Sequence, residues 1–135
     1  MTQSKPVIAV IGATGAVGSA TAELLARRGR RVDAVSRDAE RSEVIAAPLP
    51  KTVGLRGLLA DPSSLDVDEP GIAINCTGIE DLDAIRRWRR AGWAMIDITA
   101  SSQYAAALAA EPLDRPPLVV GVGLTPGLTS MLARQ

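Results

Sequence analysis

No histidine occurs among the 135 residues, and Cys76 is the one cysteine. Histidine acid–base catalysis within the chain is thereby excluded, as is a disulfide framework, and a Cys/His zinc site lacks ligands, so no metal site is expected. Phenylalanine is missing, and Trp88, Trp93 and Tyr104 are the only aromatic residues. The core must therefore be aliphatic, and stacking onto nucleic-acid bases has little to work with. Fifteen basic and fifteen acidic residues cancel to a formal net charge of zero, which removes the electrostatic case for a nucleic acid or an anionic membrane as partner. No apolar run approaches the roughly 20 residues that span a bilayer, and Met1 to Pro6 carries no apolar signal core. A cytoplasmic protein is expected, with neither nucleic acid nor membrane as partner.

What the chain does contain is aliphatic: 47% of it is hydrophobic, mainly Ala, Val, Leu and Ile. The most informative stretch runs Val7-Ile8-Ala9-Val10-Ile11 and then Gly12-Ala13-Thr14-Gly15-Ala16-Val17-Gly18. The apolar, β-branched run reads as a strand buried on both faces. Gly12 allows a tight turn, Gly15 allows backbone N–H groups to approach a phosphate, and Gly18 allows a following helix to pack down on the strand. The helix start adds unpaired N–H donors and about half a unit of positive charge. Gly12, Thr14, Gly15, Ala16 and Val17 are thus candidates to hold a pyrophosphate, with a dinucleotide as its natural owner. Val17, Thr21, Leu24, Leu25 and Arg28 recur at helical spacing, and Arg27, Arg28 and Gly29 close the helix.

Further strands are predicted at Val32–Val35, Val53–Ala60, Ile72–Cys76, Ala94–Ile98 and Leu118–Val120. Helices are predicted over Asp38–Ala47, around Leu82, Ile85 and Trp88, from Ser102 to Ala110, and from Pro126 to Arg134 with Thr125 as N-cap. Arg86, Arg87, Arg89 and Arg90 read as a solvated outer face. The acidic, proline-bounded Ser63–Gly71 loop reads as a mobile surface segment. Strands alternating with helices over short loops give an α/β fold, a doubly wound and mostly parallel sheet of Rossmann type, as a single domain over residues 1–135. That length is at the small end for a dinucleotide enzyme that must also hold a substrate.

In such a fold the ligand lies outside the carboxyl ends of the strands. After the second strand, the place of the acid that would accept a ribose 2′-hydroxyl is held by Ser36, followed by Arg37. A hydroxyl beside a guanidinium suits a 2′-phosphate, so NADP is preferred over NAD. NAD stays open if Asp38 turns inward to the ribose, although Asp38 is better explained as a helix-start residue favoured by the dipole. Arg30 and Arg31 could add positive potential or simply be exposed. Asp61 could approach the adenine or merely form a turn before Pro62. Cys76, Thr77 and Gly78, after the fourth strand, lie beside the expected path of the nicotinamide ribose. As a nucleophile Cys76 has no histidine to activate it, and a small buried residue is its default role.

Asn75-Cys76-Thr77-Gly78, then Ala91 to Thr99, then Gly121-Val122-Gly123-Leu124-Thr125-Pro126-Gly127-Leu128 together resemble the NADP-binding domain of the saccharopine dehydrogenase family, from about Val7 to the last residue. The glycine spacing departs from the tighter Gly-x-Gly-x-x-Gly and is also seen in extended short-chain reductases and aspartate-semialdehyde dehydrogenases. The latter need a cysteine and a distant histidine, and this chain has no histidine. The resemblance implies an oxidoreductase that transfers hydride between NADP(H) and a carbonyl, imine or activated double bond. It also implies a partner substrate domain, so that the chain is expected to be the N-terminal part of a longer protein and inactive alone, with its exposed apolar surface open to self-association as a homodimer. Asp97, Thr99 and Tyr104 could meet the nicotinamide or substrate, Tyr104 being the only plausible acid among them and a core or interface tyrosine the alternative. No catalytic residue is assigned. The competing readings are a non-catalytic NAD(P)-sensing module and a glycine turn with no ligand.

Overall fold

The computed structural model describes residues 6–38, 40, 41, 44, 52–56, 62–65, 69–99 and 101–121. Its sheet has six strands: β1 Ile8–Ile11, β2 Val32–Ser36, β3 Thr52–Arg56, β4 Ile72–Asn75, β5 Ala94–Asp97 and β6 Leu118–Val119. They lie in the order β3-β2-β1-β4-β5-β6 and every pairing is parallel. That is the Rossmann-type order, stepping outward from β1 on one side and from β4 on the other. The register sets Ile11 opposite both Val35 and Asn75, so the carboxyl ends of β2, β1 and β4 finish side by side.

The strands expected at each place are there, with ends shifted by one residue at most, apart from the end of β3, which is described to Arg56. Of the expected Asp38–Ala47 helix, Glu40, Arg41 and Val44 are helical. The rest of that helix, residues 57–60, Asp61, Thr125 and the Pro126–Arg134 helix lie outside the described residues.

All of β1 and β2 is buried, as central strands covered on both faces must be. One face carries Ile8, Val10, Val32 and Ala34 against helix α1, Ala16–Arg27. The opposite face carries Ala9, Ile11, Ala73 and Met95 against helices α2, Leu82–Arg90, and α3, Ser102–Ala109.

The contact face of α1 is not the one its apolar periodicity selects. Val17 and Leu24 are about half exposed, at 54% and 52%, while Gly18, Ala22 and Ala26 are buried. Small residues four apart let the helix axis come close to the strand. At its end, Arg30 N–H donates to Leu25 O at 3.1 Å and Gly29 N–H to Ala26 O at 2.9 Å, with Gly29 at φ +69°. This is the Schellman closure that Gly29 was expected to provide.

Helix α2 begins at Asp81, whose Oδ1 accepts from Ala84 N–H at 2.9 Å. It ends in a second Schellman turn, Trp93 N–H to Trp88 O at 3.1 Å around Gly92 at φ +91°. The two indoles that this turn brings together meet edge to face at 5.2 Å between centroids and 75° between planes. Such a pair adds about 0.5–1.5 kcal/mol to what burial alone provides.

The arginine face of α2 corrects the expectation of a wholly solvated surface. Arg89 is 3% exposed; its Nε donates to Pro116 O at 2.9 Å and its Nη2 to Pro112 O at 2.8 Å. Arg86 donates through Nε and Nη2 to the largely covered carboxylate of Glu111 at 3.0 and 2.8 Å. These side chains pin the loop between α3 and β6 to the helix, and the aliphatic stem of Arg89 fills space beneath it. Arg89→Ala is expected to lower stability by about 2–3 kcal/mol, because two loop carbonyls lose charge-assisted partners, whereas Arg90→Ala on the exposed side stays within about 0.5 kcal/mol. Urea denaturation of the two variants checks this, and equal effects would mean that the loop is held in some other way.

The start of the Ser63–Gly71 loop is likewise less free than its composition implied. Pro62–Ser64 forms a 3-10 turn, and Leu65 is buried in the core at 6% exposure.

Candidate functional site

The ends of β1, β2 and β4 leave a groove of about 210 Å³ lined by Gly12, Thr14, Gly15, Ser36, Arg37, Cys76, Thr77 and Ile79. It lies where the strand order reverses between β1 and β4, the place at which a doubly wound sheet opens a crevice. A larger cleft, about 520 Å³, lies near Pro62, Pro70, Arg87 and Trp93. It is at the amino ends of β4 and β5, beside the Gly92 turn that closes α2, and it borders residues outside the described set.

The floor of the groove is the glycine turn. Gly12 N–H donates to Val35 O at 2.8 Å, Gly15 N–H donates to Gly12 O at 3.0 Å, and Gly12 sits at φ +83°. A side chain at Gly12 would strike Thr77, whose methyl carbon would lie 2.8 Å from it. The close approach of β4's exit loop therefore requires glycine here. Gly18 is equally constrained, because a Cβ there would overlap Gly12 O and come within 2.6 Å of Gly12 C.

Gly15 differs. It is the N-cap of α1, extended at φ −82°, and a Cβ on it would meet only Gly12 O at 3.4 Å. It provides no side chain to accept the first-turn N–H groups, and no acidic residue lies in that turn. The amides at Ala16 and Val17 thus belong to an uncapped helix start, with the partial positive charge that an anion would neutralise.

At the end of β2, Ser36 is buried at 5% exposure, while Arg37 is exposed. Ser36 Oγ donates to Asp38 O at 2.6 Å and accepts from Asp38 N–H at 3.1 Å. The hydroxyl expected to share in phosphate recognition is engaged with its own chain, which leaves Arg37 as the cation at this end of the groove. Asp38 Oδ1 accepts from Arg41 N–H at 3.1 Å. It is turned toward the helical residues that follow, as its helix-start reading requires.

At the end of β4, Cys76 lies half-buried on the α1 side, beside Ile74 and Leu25. Burial pushes its thiol pKa up; a hydrogen bond with Thr21 opposes this, and the Asp97 charge adds to the rise. A thiol so placed stays protonated at neutral pH and is no nucleophile. Gly78, at φ +69°, turns the chain between Thr77 and Ile79. Ile79 was not picked out in the sequence; it is 45% exposed on the rim. A single apolar residue after a turn glycine carries no periodic signal.

Asp97 ends β5 and Thr99 follows it, but both are buried, at 1% and 9% exposure, and Tyr104 belongs to the core beneath them at 6%. Burial, and then the charge of Asp97, push the Tyr104 pKa up to about 12. This is the core tyrosine, unsuited to donate a proton near neutral pH. The structure therefore gathers seven of the predicted site residues in one groove, sets Ala16, Val17 and Gly78 beside it, and turns Asp97, Thr99 and Tyr104 away. Among the described residues no three His, Cys, Asp or Glu side chains converge on a metal position, and no helix is long and apolar enough to cross a membrane. No protein-family model matches this chain, and no curated protein matches it.

Proposed function

We propose that this chain is the NADP(H)-binding domain of a cytoplasmic oxidoreductase similar to the saccharopine dehydrogenases. The observation that carries the reading is the groove itself: an uncapped helix start, a glycine turn and an exposed arginine converge where the sheet reverses. Gly15 leaves the space that a pyrophosphate would fill, and the N–H groups of the first turn of α1 are the donors for it. Arg37 would grip the adenosine 2′-phosphate, since Asp38 is turned toward Arg41 and, among the described residues, no acid lines the groove to accept from a free 2′-hydroxyl. Thr77 and Ile79 would flank the nicotinamide end.

When bound, the cofactor supplies or accepts hydride at a carbonyl, imine or activated double bond. The residues of the groove bind and orient it. Their side chains include no carboxylate, histidine or lysine, so the groups that act on the substrate belong outside the groove, on a partner substrate domain.

Calorimetric titration of NADPH and NADH tests the assignment. NADPH is expected to bind more tightly than NADH. Arg37→Ala is expected to cost NADPH about 1.5–3 kcal/mol, roughly ten- to hundredfold in Kd, while NADH is unaffected. Equal affinities, or an unchanged NADPH affinity in Arg37→Ala, would remove the 2′-phosphate assignment. No saturable heat with either nucleotide would remove the dinucleotide.

A further inference from the structure

Asn75 and Asp97 are paired across β4 and β5 and are both buried, at 2% and 1% exposure. Asp97 accepts on both oxygens, from Thr99 N–H at 2.8 Å on Oδ1 and from Asn75 Nδ2 at 2.8 Å on Oδ2. Asn75 Oδ1 accepts from Thr77 Oγ1 at 2.7 Å and from Thr77 N–H at 3.2 Å. Thr77 Oγ1 in turn accepts from Ile79 N–H at 3.0 Å. The chain of bonds begins beneath the sheet, away from the groove, and ends on two residues that line it.

Its direction is set from both ends. A carboxylate accepts and does not donate, so Asp97 obliges Asn75 to turn its NH₂ toward β5 and its carbonyl toward Thr77. Reversing that amide would set its NH₂ against the Thr77 N–H, two donors face to face. The Thr77 methyl is also the group packed over the bare Cα of Gly12. Rotating Asn75 would therefore release the loop that presses on the glycine turn.

We propose that Asp97 is a positioning residue for the nucleotide groove: through Asn75 it fixes the Thr77–Ile79 loop against the glycine turn, without touching the ligand. The effect on nucleotide affinity rests on the dinucleotide reading above; the effect on the loop does not.

An exchange of the two side chains tests the polarity. In Asp97→Asn, the new amide can accept the Thr99 N–H only by turning its own NH₂ on the NH₂ of Asn75. In Asn75→Asp, two carboxylates face each other. In the double variant, Asn at 97 accepts from Thr99 and donates to Asp at 75, which accepts from Thr77, so every bond is restored, the one between 75 and 97 with donor and acceptor exchanged and those to Thr99 and Thr77 in their original direction.

Amide hydrogen exchange by NMR is expected to show Thr77 and Ile79 exchanging about tenfold faster in each single variant and returning close to wild type in the double variant. The Kd for NADPH, measured well below each variant's Tm, is expected to rise and recover in parallel, which a role in stability alone would not produce. If a single variant does not fold, Thr77→Val, which keeps the methyl and removes the hydroxyl, is expected to speed Ile79 exchange and weaken NADPH binding. The proposal is overturned if folded Asp97→Asn protects Thr77 and Ile79 as wild type does, if the double variant is no better than the worse single one, or if Thr77→Val leaves both readouts unchanged. Amides that follow the expected pattern in proteins that bind no nucleotide would uphold the relay and sink the dinucleotide reading.

Discussion

Gly18→Ala is expected to destabilise the domain by on the order of 4–5 kcal/mol, most of what a domain of this size possesses, and to leave it largely unfolded in mild denaturant. The added methyl would overlap Gly12 O, lie 2.6 Å from Gly12 C and lie 3.0 Å from Ala13 Cα. All three are backbone atoms, so no side chain can swing aside. The turn cannot retreat either, because Val35 O holds Gly12 N–H at 2.8 Å, Gly15 N–H holds Gly12 O at 3.0 Å, and Gly12 is at φ +83°. Relief requires lifting α1 off the sheet, which opens the contacts of Ala22 and Ala26, both fully buried. Gly29→Ala is the control. It meets φ +69° but open space, and is expected to cost only about 1 kcal/mol, the penalty of a left-handed conformation. Urea denaturation followed by circular dichroism compares them. A Gly18→Ala variant no less stable than Gly29→Ala would disprove the close approach of α1 to the glycine turn.

That approach also explains why the sequence was legible in some places and not in others. The strands were readable because β1 and β2 are buried on both faces and so are apolar throughout, apart from Asp33 and Ser36. The contact face of α1 was not, since apolar periodicity weights Val17 and Leu24, whereas a helix lying close on a strand selects for smallness, and Gly18, Ala22 and Ala26 carry little hydrophobic signal. Arg89 was misread for a related reason. Its burial depends on carbonyls of Pro112 and Pro116, 23 and 27 residues along the chain, and no local pattern announces them. The groove was readable as a set because glycine turn, second-strand end and fourth-strand end occur at fixed places in a doubly wound fold. Which hydroxyl faces a ligand was not. Ser36 holds the right position yet spends its oxygen on Asp38, and Asn75 meets Asp97 only through a strand register that the sequence does not specify.

Gly15→Val, three residues before the most sensitive glycine, is expected to do the opposite of Gly18→Ala: to leave the fold nearly intact and to abolish nucleotide binding. At φ −82° and ψ 168° the backbone of Gly15 is extended, a conformation that a β-branched residue adopts readily, and its nearest neighbour would be Gly12 O at 3.4 Å. Loss of glycine from an N-cap is expected to cost about 1 kcal/mol. On the other side the new isopropyl group stands in the groove formed with Thr14, Arg37 and Thr77, over the first-turn N–H groups. A pyrophosphate deprived of two such charge-assisted contacts loses about 3–6 kcal/mol, at least a hundredfold in Kd. The pair of variants separates two duties within one glycine triplet, Gly18 serving the packing of the helix and Gly15 serving the ligand. Thermal denaturation with calorimetric titration of NADPH gives both readouts. If Gly15→Val still binds NADPH within tenfold of wild type while folded, the pyrophosphate does not sit on this helix start, and the groove must be assigned another occupant.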